Sequence, residues 1–147
     1  MKKTDNEFRI QFISKSSNES FARTVVSAFV SQLDPTVEEI NDIKTAVSEA
    51  VTNCIVHAYP DSVGKIYISG SFTKDGTVKI RIRDTGKGIE DIKKAREPLF
   101  TTGGSDRAGL GFSVMETFTD KMNVRSAVSK GTTVTLFKRI EGKNSDN

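Results

Sequence analysis

An α+β two-layer sandwich, a mostly antiparallel mixed sheet with helices on one face, is the fold class the sequence predicts, and three observations predict it. Its strand-like stretches alternate apolar and polar residues, and they come mainly in hairpins closed by short turns. Two amphipathic helical stretches separate the first strand from the first hairpin. No internal repeat runs through the 147 residues, a length that fits one domain able to bury a core without disulfides or metal. Residues 1–139 are read as that single domain and 140–147 as a polar, disordered tail.

The elements follow in order. Glu7 to Ile13 alternates as a half-buried strand. Ser16-x-x-Glu19 reads as a capping box, and Phe21, Ala22, Val25, Val26, Phe29 and Leu33 give the first helix its apolar face. Glu19 and Arg23 lie on its outer face at the spacing of an i, i+4 ion pair. The second helix spans Thr36 to Ala58: Thr36 and Glu39 form a capping box, and Pro60 follows its end. Val37, Ile40, Ile43, Val47, Ala50, Val51, Cys54 and Ala58 make one apolar stripe, while Glu49, Asn53 and His57 stack one per turn on a flank. Lys65 to Phe72 and Thr77 to Arg83 form a hairpin through Lys74-Asp75-Gly76. A short helix, Glu90 to Glu97, is stopped by Pro98, and Leu99 to Gly111 is long enough to be a lid or binding loop. A helix resumes over Phe112 to Phe118, and the strands Met122 to Ala127 and Thr132 to Lys138 close the chain.

Composition narrows the function classes. Lysine and arginine total 22 against 19 acidic residues, a net +3, but the signs are interspersed and there is no basic run, so direct nucleic-acid binding is not expected. The single cysteine, Cys54, cannot form an internal disulfide and reads as a small core hydrophobe in a reducing compartment. No stretch has the apolar length of a signal peptide or a membrane span, which makes the expected location cytoplasmic, away from membranes.

Two glycine elements border the expected lid. Asp84-x-Gly86-x-Gly88 follows a strand, where glycines let the backbone approach a flat ligand and the carboxylate can accept from an amine. Gly109-Leu110-Gly111 opens the next helix, a setting suited to phosphate. Taken singly, each also fits an ordinary turn. Neither is a phosphate-binding loop of the lysine-containing kind or a dinucleotide fingerprint.

Taken together they carry a resemblance. Glu49-x-x-x-Asn53, Asp84-x-Gly86-x-Gly88, Gly109-x-Gly111 and Gly131-Thr132-Thr133, in this order, are similar to the four boxes of the gyrase, heat-shock-90, histidine-kinase and mismatch-repair ATPase superfamily. Within it, Ser17 to Arg23, Gln32 to Thr36, Ser48 to Asn53 and Glu97 to Thr102 resemble the sporulation anti-sigma-F family of serine protein kinases, over nearly the whole chain to about Lys138. The resemblance implies a Bergerat-type ATP-binding fold, ATP or ADP with Mg2+, and an anti-sigma factor that phosphorylates a small anti-anti-sigma protein. It makes Glu49 the general base and Asn53 the magnesium ligand. Asp84 would receive the adenine amine with help from Thr133, and Gly86, Gly88, Thr101, Thr102, Gly109 and Gly111 would line the nucleotide. Arg107 would be a lid arginine, Glu19 and Arg23 would belong to the partner surface, and the chain would form a homodimer through its N-terminal edge strand. His57 is assigned a structural role. A general-stress anti-sigma kinase of the same fold and a nucleotide-gated binding module without turnover are the alternatives.

Overall fold

The computed structural model describes residues 3–97 and 106–143, with the side chains of 106–110 outside that description. One five-stranded sheet carries strands β1 (Thr4–Ile13), β2 (Lys65–Thr73), β3 (Thr77–Asp84), β4 (Lys121–Ala127) and β5 (Gly131–Arg139). Their order is β1-β2-β3-β5-β4. Helices α1 (Asn18–Val30), α2 (Val37–Asn53), a short α3 (Ile92–Ala95) and α4 (Asp106–Thr117) complete it.

The two-layer α+β prediction holds, and among the described residues every strand pairing is antiparallel, so the sheet there is not mixed. The reason is topological. Two helices between β1 and β2 reverse the chain twice, so β2 returns antiparallel to β1. The connection through α4 brings β4 back parallel to β3, but β5 slots between them and leaves only antiparallel neighbours.

Register settles which residues face the helices. Ile68 lies opposite Ile82 and Ile82 opposite Val134, so the alternating apolar residues of the central strands share one face. Ile66, Ile68, Val78, Ile80 and Ile82 are almost fully buried there against Val26 and Val30 of α1, Val47 and Val51 of α2, and Phe112 and Met115 of α4. Phe29 bridges Phe8 and Phe72 with ring centroids 4.6 and 4.9 Å away, pinning α1 over β1 and β2. No helix among the described residues is long and apolar enough to cross a membrane.

Four local expectations change. At α1, the capping box on Ser16 does not form: Ser17 occupies the cap without a side-chain bond, and Glu19 turns to Arg23 instead, 3.4 Å away. At the far end of α2, the expected single helix ends at Asn53 and the turn Cys54–Ala58 is π-helical, with Tyr59 N donating to Cys54 O at 3.2 Å. Such widened turns recur at functional sites. Helix α4 spans Asp106–Thr117 instead of starting at Phe112, so Gly109 closes its first turn and Gly111 lies in its second. The helix-forming Arg107, Ala108 and Leu110 carry it through both glycines.

The fourth change concerns the tail. Residues 140–143 are tied down rather than free: Ile140 is buried, and Glu141 N and Gly142 N donate to the Glu39 carboxylate at 2.7 and 3.1 Å. Glu39 also completes the predicted capping box, accepting from Thr36 N at 2.9 Å while its own N–H donates to Thr36 Oγ1 at 3.1 Å. Burial works to raise this carboxyl, but its hydrogen bonds with Thr36, Glu141 and Gly142 outweigh it and hold the group below its ordinary 4.5. Glu39→Ala should therefore cost about 1–2 kcal/mol, a fall of about 3–8 °C in melting temperature. Because the folded value is depressed, the charge-dependent part is present above pH 4.5 and is lost as pH falls through the folded value. Thermal unfolding should show Glu39→Gln closer to wild type at pH 3 than at pH 7; equal melting at pH 7 would contradict the assignment.

Candidate functional site

The widened turn after Asn53 opens a cavity of about 210 Å3 between α2, the end of β3 and α4. Ala50, Asn53, Cys54, His57 and Ala58 form one wall and Ile82, Asp84, Thr132 and Val134 the floor. Lys87, Gly88 and Ile89 border it from the loop after β3, and Phe112 from α4. The lining is mostly apolar with few polar groups, the composition of a site for a flat organic ligand.

Asp84 is the polar centre, buried to 5 % exposure at the end of β3. Its Oδ1 accepts from Gly86 N at 3.0 Å and Thr132 N at 3.2 Å, and its Oδ2 accepts from the Cys54 thiol at 3.5 Å. Burial pushes the carboxyl above its ordinary value, a rise held back by those three hydrogen bonds and by the charge of Arg83.

The supports of Asp84 are rigid. Tyr59 Oη donates to Lys65 O at 2.6 Å and accepts from Thr85 N at 2.7 Å, clamping the residue after Asp84. A side chain at Gly86 would meet Ala58 O at 2.3 Å, so the loop lies directly against the π-helical turn. Gly88 takes φ +76° with Ala127 O only 2.1 Å from where a Cβ would stand, which makes glycine obligatory there. Ser126 Oγ donates to Gly131 O at 3.0 Å and accepts from Ile89 N at 2.7 Å. Its one proton is thereby used, so in the 2.7 Å contact between the two hydroxyls it is Thr132 that donates.

Asn53 projects into the same cavity from the last turn of α2. Its Nδ2 is buried with no hydrogen-bond partner among the described residues, and a Cβ at Gly111 would stand 3.0–3.1 Å from its amide. An orphaned amide beside a side-chain-free helix surface is an arrangement that a ligand completes. Among the described residues no group of three or more His, Cys, Asp or Glu could hold a metal ion. A cation here would use the Asn53 oxygen with ligands brought by an anionic substrate and water, which is how magnesium is commonly held.

Glu49 stands one turn before Asn53 but does not line the apolar cavity. It is half-buried in a polar groove of about 290 Å3 between α1 and α2, shared with Arg23, Lys44 and Ser48. The structure thus brings Asn53, Asp84 and Gly88 to one cavity, sets Gly86 against Ala58 and Gly111 against Asn53 of its wall, and puts Glu49 with Arg23 in the groove beside it. Glu19 reaches that groove through its contact with Arg23. Arg107 and Gly109 belong to α4, their side-chain positions not described. Thr101 and Thr102 lie outside the described residues.

Thr133 does not line the cavity. It pairs with Arg83 and Arg125 on the sheet face away from the helices, whereas Thr132 lines the cavity. Parity could have found this, because Thr132 shares its face with the apolar Val134 and Leu136. Cys54, expected to be plain core, is core and also a partner of Asp84, a pairing across 30 residues that helix periodicity cannot reveal.

Residues 14–138 match a family model described as a histidine kinase-like ATPase domain. The chain is 57 % identical over 141 residues to the anti-sigma F factor of Caldanaerobacter subterraneus subsp. tengcongensis, covering 95 % of this chain and 97 % of that one. It is 53 % identical to the anti-sigma F factor of Anoxybacillus flavithermus, covering 92 % and 93 %. Among solved structures, the RsbU and RsbW domains of Rv1364c from Mycobacterium tuberculosis superpose with a TM-score of 0.68 at 20 % identity, over 92 % of this chain and 32 % of that one, a likeness of fold.

Proposed function

The chain belongs to the anti-sigma F factor family, built on a histidine kinase-like ATPase domain, and from that premise we propose that it is an ATP-dependent serine protein kinase. In this reading it binds and inhibits a sporulation sigma factor in the cytoplasm and phosphorylates a small anti-anti-sigma protein. The observation that carries the reading is Asp84, a buried carboxylate in an apolar cavity that Asn53 also lines, its Nδ2 without a partner among the described residues.

Each residue then has a task. Asp84 accepts the adenine amine, and Thr132 rather than Thr133 offers a hydroxyl beside it. Asn53 supplies a side-chain oxygen to Mg2+, whose charge would offset that of the phosphates. Gly86 and Gly88 let the loop lie close to the base, and Gly109 and Gly111 let α4 approach the phosphates. The placement of Thr101, Thr102 and Arg107 in the lid follows from the family alone. Transfer requires the acceptor serine to lose its proton as its oxygen bonds the γ-phosphorus and the bond to the β-bridging oxygen breaks, leaving ADP. Glu49, in the groove beside the cavity, takes that proton. Arg23 shares the groove, so the partner surface on α1, with Glu19, leads to the base. Strand β1 has a free edge, where a second copy of the chain would pair.

The test is a transfer assay. The purified protein is mixed with γ-labelled ATP, Mg2+ and the small anti-anti-sigma protein, and its binding to the sigma factor is followed by gel filtration with ATP or ADP. Label on a serine of the small protein is the expected result. Nucleotide and sigma-factor binding without transfer would favour a nucleotide-gated binding module instead.

A further inference from the structure

An ionised carboxylate offers about four lone-pair positions. On Asp84, Gly86 N and Thr132 N occupy two on Oδ1, and the Cys54 thiol occupies one on Oδ2. One acceptor position is left. Both Asp84 and Cys54 line the cavity, so that position and its neighbour are presented to whatever binds there.

We propose that Cys54 is a positioning residue for base recognition: its thiol fixes the Asp84 carboxylate so that one acceptor, and only one, faces an incoming exocyclic amine. The proposal rests on the reading of Asp84 as the adenine receptor. Backbone donors alone pin Oδ1 and leave Oδ2 both open lone pairs, free to take a water or, once protonated, to donate toward a ligand's carbonyl oxygen. The thiol removes that freedom. Burial, the charge of Asp84 and the hydrogen bond between them push the thiol well above its ordinary range, so it stays a donor at every pH at which the protein works. The position selects for a base that brings a donor, as adenine does, against one that brings an oxygen at the same place, as hypoxanthine does.

The test compares Cys54→Ala, Cys54→Val and Cys54→Ser with wild type, reading calorimetric affinities for ADP and for inosine diphosphate. A thiol donor is weak, so losing it should weaken ADP binding by about fivefold and lower the ratio of ADP to inosine diphosphate affinity by about the same factor. Alanine and valine should both show the loss, and serine, which keeps a donor, should recover most of the ratio. A packing role would give the opposite ranking, valine near wild type and serine worst, and would overturn the proposal, as would an unchanged ratio in the alanine and valine proteins. Should alanine not fold, valine and serine suffice, since one fills the space without a donor and the other keeps the donor. Wild-type protein that fails to bind ADP would refute the reading of Asp84 itself. Wild-type binding that Asp84→Asn weakens while the cysteine variants leave the ratio intact would refute only the role of Cys54.

Discussion

Glu49→Ala is expected to slow phosphoryl transfer to the anti-anti-sigma protein by about 10²–10⁴-fold while nucleotide and sigma-factor affinities stay within a few-fold of wild type. The separation follows from where Glu49 sits. It faces the groove between α1 and α2 and is absent from the walls of the cavity that would hold the base, so removing its carboxylate takes nothing from adenine recognition. It is half-buried on a regular stretch of α2, where alanine is the better helix former, so the fold should not suffer. A carboxylate there can act only on something that arrives from the groove, and the acceptor hydroxyl must arrive on that side for its proton to be taken. Single-turnover transfer measured alongside ADP affinity checks the split: loss of transfer with intact binding is the expected pattern. Transfer at the wild-type rate would remove Glu49 as the base, and equal loss of ADP binding would place it in the nucleotide site instead.

What the sequence made legible was what local chemistry controls. The capping box of Thr36 and Glu39, the hairpin turn at Asp75-Gly76 and the alternation of β2 and β3 stand as read, because each is decided by residues within a few positions of one another. The errors share a different cause. The all-antiparallel sheet depends on β5 inserting between β3 and β4, a choice made by packing over 50 residues. The tie between residues 140–143 and Glu39 spans about a hundred positions, and no composition rule separates a tethered polar segment from a frayed one. At the site, Asn53, Asp84, Gly86 and Gly88 were visible as spaced residue types. Gly131-Thr132-Thr133 carries two threonines whose faces only strand parity tells apart, and it is Thr132 that lines the cavity. The hydrogen bond of Cys54 with Asp84 is hidden by the burial of both: a stripe of apolar spacing shows that a side chain goes inward, not what polar atom waits there.

Asp84→Asn should weaken ADP binding by about 10–100-fold, the worth of a hydrogen bond to a charged acceptor in a buried site. Asparagine keeps an oxygen for Gly86 N and Thr132 N but turns an NH2 where Oδ2 stood, so the adenine amine would face a donor. Fold and site respond to pH through this group in ways that can be told apart. Burial raises the folded value of Asp84 above 3.8, so in the window between 3.8 and the folded value the native state holds a proton that the unfolded chain has lost. Its contribution to stability therefore falls as pH rises through that window, opposite in sign to that of Glu39, whose folded value is depressed. Binding runs the other way. A proton on Oδ2 turns the position that faces the ligand from an acceptor into a donor, so ADP affinity of the wild type should fall, by at most about tenfold per unit, as pH drops below the folded value. Asparagine has no such proton, and its residual affinity should be flatter with pH from this group. Calorimetric titration of both proteins from pH 7 downward reads the difference. Equal affinities at pH 7, or parallel slopes for the two proteins toward acid, would remove Asp84 as the adenine receptor and leave the cavity to a ligand held by its apolar walls alone.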